Sequence, residues 1–212
     1  MQTIILAARK GGPGKTTLAA HLAIQAERDG ASPVMLVDLD PQQTLTAWWK
    51  DRQAETPILS EVPITRFRDE LVSVRDKPGL IIVDTPGFEA DLLTVITAAD
   101  FVVIPVQPSP NDLRGIATTV DLAKRAQRPF CFVITRGIPR SVLTQQAPLI
   151  LSQYGAVATT IVFNRVDYAG AMTDGRTVQE IDPKGKAAAE IAQLWAYLNQ
   201  QINAPTRKEG AA

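Results

Sequence analysis

The chain has 212 residues, 45% apolar and 21% charged, which is enough for a sizeable buried core in an ordinary globular composition. Its 22 basic and 22 acidic side chains cancel, so no overall field calls for a nucleic acid or a membrane, and any polyanion contact must come from a local cluster. The one cysteine, Cys131, excludes a disulfide framework and a cysteine-rich metal site, and the absence of a leader or of about 20 consecutive apolar residues predicts a cytoplasmic protein.

Apolar runs at residues 3–8, 34–37, 80–83, 101–106, 130–135 and 159–163 lack polar alternation, the pattern of strands covered on both faces of a parallel sheet. Cys131 falls inside the fifth run and reads as a small buried hydrophobe. Helices are predicted between them, at 15–29, 44–53, 90–98, 112–127 and 141–154. Alternating strands and helices imply crossover connections, hence an α/β three-layer sandwich with a mostly parallel sheet flanked by helices. No linker or repeat divides the chain, so one domain over residues 1–203 is expected, followed by a frayed tail at 204–212. A last helix at 186–202 carries Ile191, Leu194, Trp195, Leu198 and Ile202 on one face. Lys186 is its only cation, so docking on its own domain is expected rather than membrane binding.

The strongest signal follows the first run: Lys10-Gly11-Gly12-Pro13-Gly14-Lys15-Thr16-Thr17. Glycines let successive N–H groups curl inward toward phosphate oxygens, and the following helix adds the partial positive charge of its N-terminus. Lys15 suits the β/γ-phosphates and the Thr16 hydroxyl suits Mg²⁺, although the first glycine of the general phosphate-loop pattern is missing and Lys10 stands near that place. Asp38 and Asp40 close the second run at a spacing of two, which places them on one side, at the strand end where ligands bind in such sheets. A helix N-cap with an Asp-Pro turn is the alternative reading of that pair. Asp84 ends Leu80-Ile81-Ile82-Val83 as a Walker B carboxylate would, to hold Mg²⁺ directly or through water, and Thr85-Pro86-Gly87 beyond it is a candidate phosphate-sensing switch. A plain strand-end turn is the alternative there.

With its second lysine, the loop resembles the deviant Walker A of the ParA/MinD superfamily, and the likeness extends over nearly the whole chain. Leu45-Thr46-Ala47-Trp48-Trp49-Lys50, Ile104-Pro105-Val106-Gln107-Pro108-Ser109-Pro110 and Phe132-Val133-Ile134-Thr135-Arg136 resemble the small ParF-type members, whereas Arg9 departs from the residue usual before the signature lysine. The resemblance implies an ATP- and Mg²⁺-dependent homodimer that can grow into a higher-order assembly, in which Lys10 reaches the partner's nucleotide. It further implies that Asp40 orients the attacking water and that Asp38 supports the metal shell. Asn164-Arg165 is a candidate site for the base or for DNA. With no arginine finger evident, slow hydrolysis stimulated by a cargo-bound adaptor protein is expected.

The absence of room for an N-terminal helix-turn-helix argues against sequence-specific DNA reading. Between Leu113 and Phe163, however, Arg114, Lys124, Arg125, Arg128, Arg136 and Arg140 face one acid, Asp121, which would suit non-specific contact with nucleoid DNA. A solvated basic face explains the same residues. Trp48 and Trp49 are either a partner surface or packing, and His21, on the helix after the phosphate loop, is not expected to be catalytic. Two alternatives share the fold: a MinD-like membrane-positioning ATPase, and a dethiobiotin synthetase-like ligase, which gives no reason for Lys10. An iron–sulfur reductase is excluded because a lone cysteine cannot hold a cluster.

Overall fold

A computed structural model describes residues 1–9, 12–87 and 89–204. The loop residues Lys10 and Gly11, and the predicted tail apart from Ala204, lie outside them. Among the described residues eight strands form the sheet: β1 (Gln2–Leu6), β2 (Val34–Asp38), β3 (Ile58–Ser60), β4 (Leu80–Asp84), β5 (Phe101–Val106), β6 (Phe130–Gly137), β7 (Ala156–Val157) and β8 (Val162–Phe163). Their order is β3-β2-β4-β1-β5-β6-β7, with β8 pairing β6, and every pairing is parallel.

Nine helices cover the two faces among the described residues: α1 (Lys15–Arg28), α2 (Thr44–Lys50), α3 (Phe67–Val74), α4 (Glu89–Thr97), α5 (Pro110–Arg125), α6 (Val142–Ser152), α7 (Val166–Ala171), α8 (Val178–Ile181) and α9 (Lys186–Asn203). Strand side chains alternate between two cores, as their period of two requires. Ile4, Leu6, Leu36, Ile82, Val103 and Val133 pack with α1 and α9, while Ile5, Val37, Val83, Ile104 and Ile134 pack with α3 to α6. Because both faces are covered, the strands need no polar positions, which explains their continuous apolar runs.

The structure corrects the sequence reading at its ends and in its shortest elements. The run at 159–163 contributes only β8, and β7 is a separate two-residue strand before it. β3, α3, α7 and α8 were not anticipated: each is eight residues or fewer, too short for periodicity to identify. Helix α5 begins two residues early, at Pro110, because Ser109 caps it by accepting from the Asp112 amide at 3.2 Å and proline is favoured in a first turn. Helix α9 docks as expected, with Ile191, Leu194, Trp195 and Leu198 buried, chiefly along α1. Both indoles pack inward: Trp48 Nε1 donates to the Arg176 carbonyl (3.1 Å) and Trp49 Nε1 to that of Pro57 (2.6 Å), so neither is a free partner anchor.

Candidate nucleotide-binding site

β1 lies at the centre of the sheet, with β4 on one side and β5 on the other. The chain leaves β1 for β2 on one flank, whereas β4 leads to β5 across it, which opens a crevice at the carboxyl end of β1. The phosphate loop emerges there. Gly12 and Gly14 have φ of 98° and 89°, a left-handed backbone that a side chain would strain. Gly14 opens α1 without any side-chain cap, and the first turn holds no acid. The amides of that turn are therefore left for an anion.

Two props, missed in the sequence as individual roles, hold the loop: Gln107 Nε2 donates to the Gly12 carbonyl (2.7 Å), and Thr135 Oγ1 donates to that of Pro13 (2.8 Å). Both lie in segments already singled out for family resemblance, but no local pattern marks them as loop supports. On the opposite side, a Cβ added to Gly87 would stand 3.1 Å from the Arg9 carbonyl, so the segment after β4 packs close against the loop's start. The Thr85 hydroxyl is buried and donates to the Leu6 carbonyl at 2.7 Å.

The carboxylates converge as the spacing predicts. Asp38 and Asp84 are register partners at the ends of β2 and β4, and Leu6 of β1 pairs with Asp84 on its other side. Asp38 accepts from the amides of Asp40 (3.1 Å) and Thr46 (2.9 Å), so it shapes the turn into α2, whose N-cap is Gln43. Asp40 accepts from the Gln42 amide at 3.0 Å through one oxygen. The Thr16 hydroxyl donates to Asp84 Oδ2 at 2.5 Å, while the buried Oδ1 has no partner among the described residues. An orphaned carboxylate oxygen beside a threonine hydroxyl and the buried Lys15 fits a hydrated Mg²⁺. Among the described residues, no three carboxylate, histidine or cysteine side chains form a cage of their own. An ion shared by Thr16, Asp84 and, through water, Asp38 would thus depend on phosphate oxygens as well.

Burial pushes the Asp84 carboxyl up to about 7; Asp38 and Asp40 add to the rise, and Thr16 and Lys15 oppose it. A carboxyl raised on folding binds more protons in the folded state, so its contribution to stability falls as pH rises from about 4 toward 7. Asp84→Asn removes that penalty. We expect it to raise the nucleotide-free melting midpoint at about pH 7.5 by roughly 2–6 °C while abolishing Mg²⁺-dependent nucleotide affinity. A midpoint below that of the parent in a thermal melt would refute the burial argument.

Next to the loop, a cavity of about 260 Å³ is bounded by Gly14, Thr17 and Leu18 on one side and by Phe163, Asn164 and Arg165 on another. The structure thus brings Asn164-Arg165 to the cavity beside the start of α1, and Arg165 is ion-paired to Glu190, a residue that no sequence signal marked. His21 is fully buried, with Nδ1 2.7 Å from the Thr17 carbonyl, and burial pushes its imidazole down to about 4, as suits a neutral packing residue. Cys131 is buried as expected. The basic cluster needs one correction. Arg128 is half-buried and donates to the Thr97 carbonyl at 2.6 Å, so it braces the fold, whereas Lys124, Arg125, Arg136 and Arg140 are exposed.

A parallel sheet with a glycine loop at its central strand, a Lys-Thr pair opening the next helix and aspartates at two adjacent strand ends defines a P-loop NTPase fold. The chain belongs to the CobQ/CobB/MinD/ParA nucleotide binding domain family, whose model matches residues 4–182. It is 30% identical to maintenance of carboxysome distribution protein A of Halothiobacillus neapolitanus, over 94% of this chain and 96% of that one. It is also 29% identical to the chromosome-partitioning ATPase Soj of Thermus thermophilus, over 92% and 94% of the two chains. In fold it is similar to the septum site-determining protein MinD of Pyrococcus horikoshii complexed with Mg-ADP, at a TM-score of 0.78 and 14% identity, over 95% and 97%.

Proposed function

We propose that this chain is an ATPase that dimerises around ATP and positions a large cargo, DNA or another cellular body, through the difference between its nucleotide states. The observation that carries this reading is the uncapped, glycine-curled start of α1 beside the orphaned Oδ1 of Asp84. The relatives named for carboxysome distribution and chromosome partitioning support cargo positioning as its purpose. The segments around Trp48-Trp49, Pro105–Pro110 and Phe132–Arg136 resemble the small ParF-type members and support assignment to that subgroup.

In this mechanism Gly11, Gly12, Pro13, Gly14 and Thr17 wrap the phosphates while Lys15 neutralises the β/γ charge. Thr16, Asp38 and Asp84 would hold Mg²⁺, which would supply neutralisation of phosphate charge when bound. Asp40 orients the water that attacks the γ-phosphorus and receives its proton. Lys10 crosses to the partner's nucleotide, and Asn164 and Arg165 face the nucleoside. Turnover is slow until a cargo-bound adaptor stimulates it, and further copies can extend the paired form into a higher-order assembly. The pair binds nucleoid DNA without reading sequence, through Arg114, Lys124, Arg125, Arg136 and Arg140, all exposed. Among the described residues no helix is long and apolar enough to cross a membrane.

Sizing the protein with ADP and with a non-hydrolysable ATP analogue tests the switch. A pair is expected with the analogue and single chains with ADP, and Lys10→Ala is expected to stay single in both. Equal association of parent and variant would remove the trans contact. The analogue-bound pair should also be retained on DNA in a salt-sensitive way, and Lys124→Glu with Arg125→Glu should release it; unchanged retention would remove the DNA surface.

A further inference from the structure

Glu190 belongs to no motif and sits on the packed side of α9, 8% exposed. Four hydrogen bonds from three residues end on its carboxylate. Arg165 donates to Oε1 through Nε (2.8 Å) and Nη2 (2.6 Å), while the Phe163 amide (3.1 Å) and the Tyr168 hydroxyl (2.9 Å) donate to Oε2. The Arg165 guanidinium also lies 5.6 Å from the centre of the Phe163 ring. These donors flank Asn164 on both sides, and together with it they line the cavity that begins at Gly14 and Thr17. One buried carboxylate therefore fixes the backbone at Phe163, the guanidinium of Arg165 and the ring of Tyr168.

We propose that Glu190 is the positioning residue of the nucleoside end of the site, setting the affinity for the base and ribose without touching the phosphates. The inference rests on the nucleotide reading above. Attachment of α9 alone would not require this group, because Ile191, Leu194, Trp195 and Leu198 already bury an apolar face. A buried carboxylate is costly to desolvate unless its oxygens are satisfied by hydrogen bonds, and here four donors converge on it. With Nε and Nη2 committed to Glu190, Arg165 makes no other hydrogen bond among the described residues, so its free edge is presented in one orientation.

The test compares ATP, ADP and inorganic tripolyphosphate, each with Mg²⁺, by calorimetry on the parent and on Glu190→Gln. Glutamine keeps the shape but replaces one acceptor oxygen by a donor, which must then face another donor. ATP and ADP should bind about 10- to 100-fold more weakly, the worth of hydrogen bonds to a charged group, while tripolyphosphate stays within about threefold. In turnover the same variant should raise KM and leave kcat within about threefold. ATP and ADP affinities within about twofold of the parent's, or a parallel loss of tripolyphosphate, would overturn the inference. Should Glu190→Gln fail to fold, Arg165→Lys keeps the charge and loses the fork; it must show the same split, and unchanged ADP affinity there would equally overturn it. A parent that binds neither ATP nor ADP would defeat the nucleotide reading itself, an outcome distinct from a parent that binds both and a variant that matches it.

Discussion

Asp40→Ala is expected to lower ATP turnover by at least about 10²-fold while leaving ATP affinity within a few-fold, the signature of losing a group that acts on the attacking water. The local geometry makes this a clean substitution. The turn that carries Asp40 is held by Asp38, whose two oxygens accept from the Asp40 and Thr46 amides, and alanine at 40 retains the amide that Asp38 needs. Among the described residues Asp40 itself spends one oxygen on the protein, at the Gln42 amide. With hydrolysis blocked and binding intact, the variant should accumulate as an ATP-bound pair in a sizing experiment that uses ATP itself. Phosphate release within about threefold of the parent would take the water-orienting role away from Asp40.

Arg52→Ala should cost about 3–5 kcal/mol of folding stability, the penalty for breaking a buried ion pair by removing one partner. The Arg52 side chain is only 3% exposed, against 26% for Glu180. Its guanidinium donates to Glu180 through Nη1 (3.1 Å) and Nη2 (2.9 Å), to the Gly175 carbonyl (2.6 Å) and to the Thr56 carbonyl (3.2 Å), and lies 4.9 Å from the Trp48 ring centre. Gly175 is there by necessity: at φ 75° a Cβ would stand 2.4 Å from the Arg52 nitrogen. Arg52 therefore joins the end of α2 to the segment leading into α8, where Glu180 also completes a capping box with Thr177.

Burial alone would raise the Glu180 carboxyl, but Arg52 and Thr177 together hold it below its ordinary value. A depressed carboxyl contributes stability that is present above its unfolded value and lost as pH falls through the folded one. The variant should accordingly melt roughly 6–20 °C lower at neutral pH and lose less on acidification than the parent does. A melting midpoint within about 2 °C of the parent's would show that the pair is worth no more than a surface bridge.

The parts of this protein that could be read directly are those encoded in contiguous residues. The glycines of the phosphate loop dictate its backbone locally, Lys15 and Thr16 are its neighbours in the chain, and Asp84 is marked by the apolar strand it ends. The parallel sheet was legible for a similar reason: strands covered on both faces carry no polar alternation, so their runs stand out. Asn164-Arg165 could be suspected from resemblance, but only the pairing of β8 with β6 brings it beside Gly14. What the chain order does not encode is which distant groups meet. Gln107 supports Gly12 across 95 residues, Arg52 meets Glu180 across 128, and Glu190 reaches back 25 to Arg165. Arg128 looked like one more surface charge until its bond to the Thr97 carbonyl placed it among the braces of the fold. Local geometry follows from neighbouring residues because their steric limits act over one or two peptide units. Support, pairing and burial are set by whichever side chains the finished sheet and its covering helices press together, and only the tertiary structure decides that.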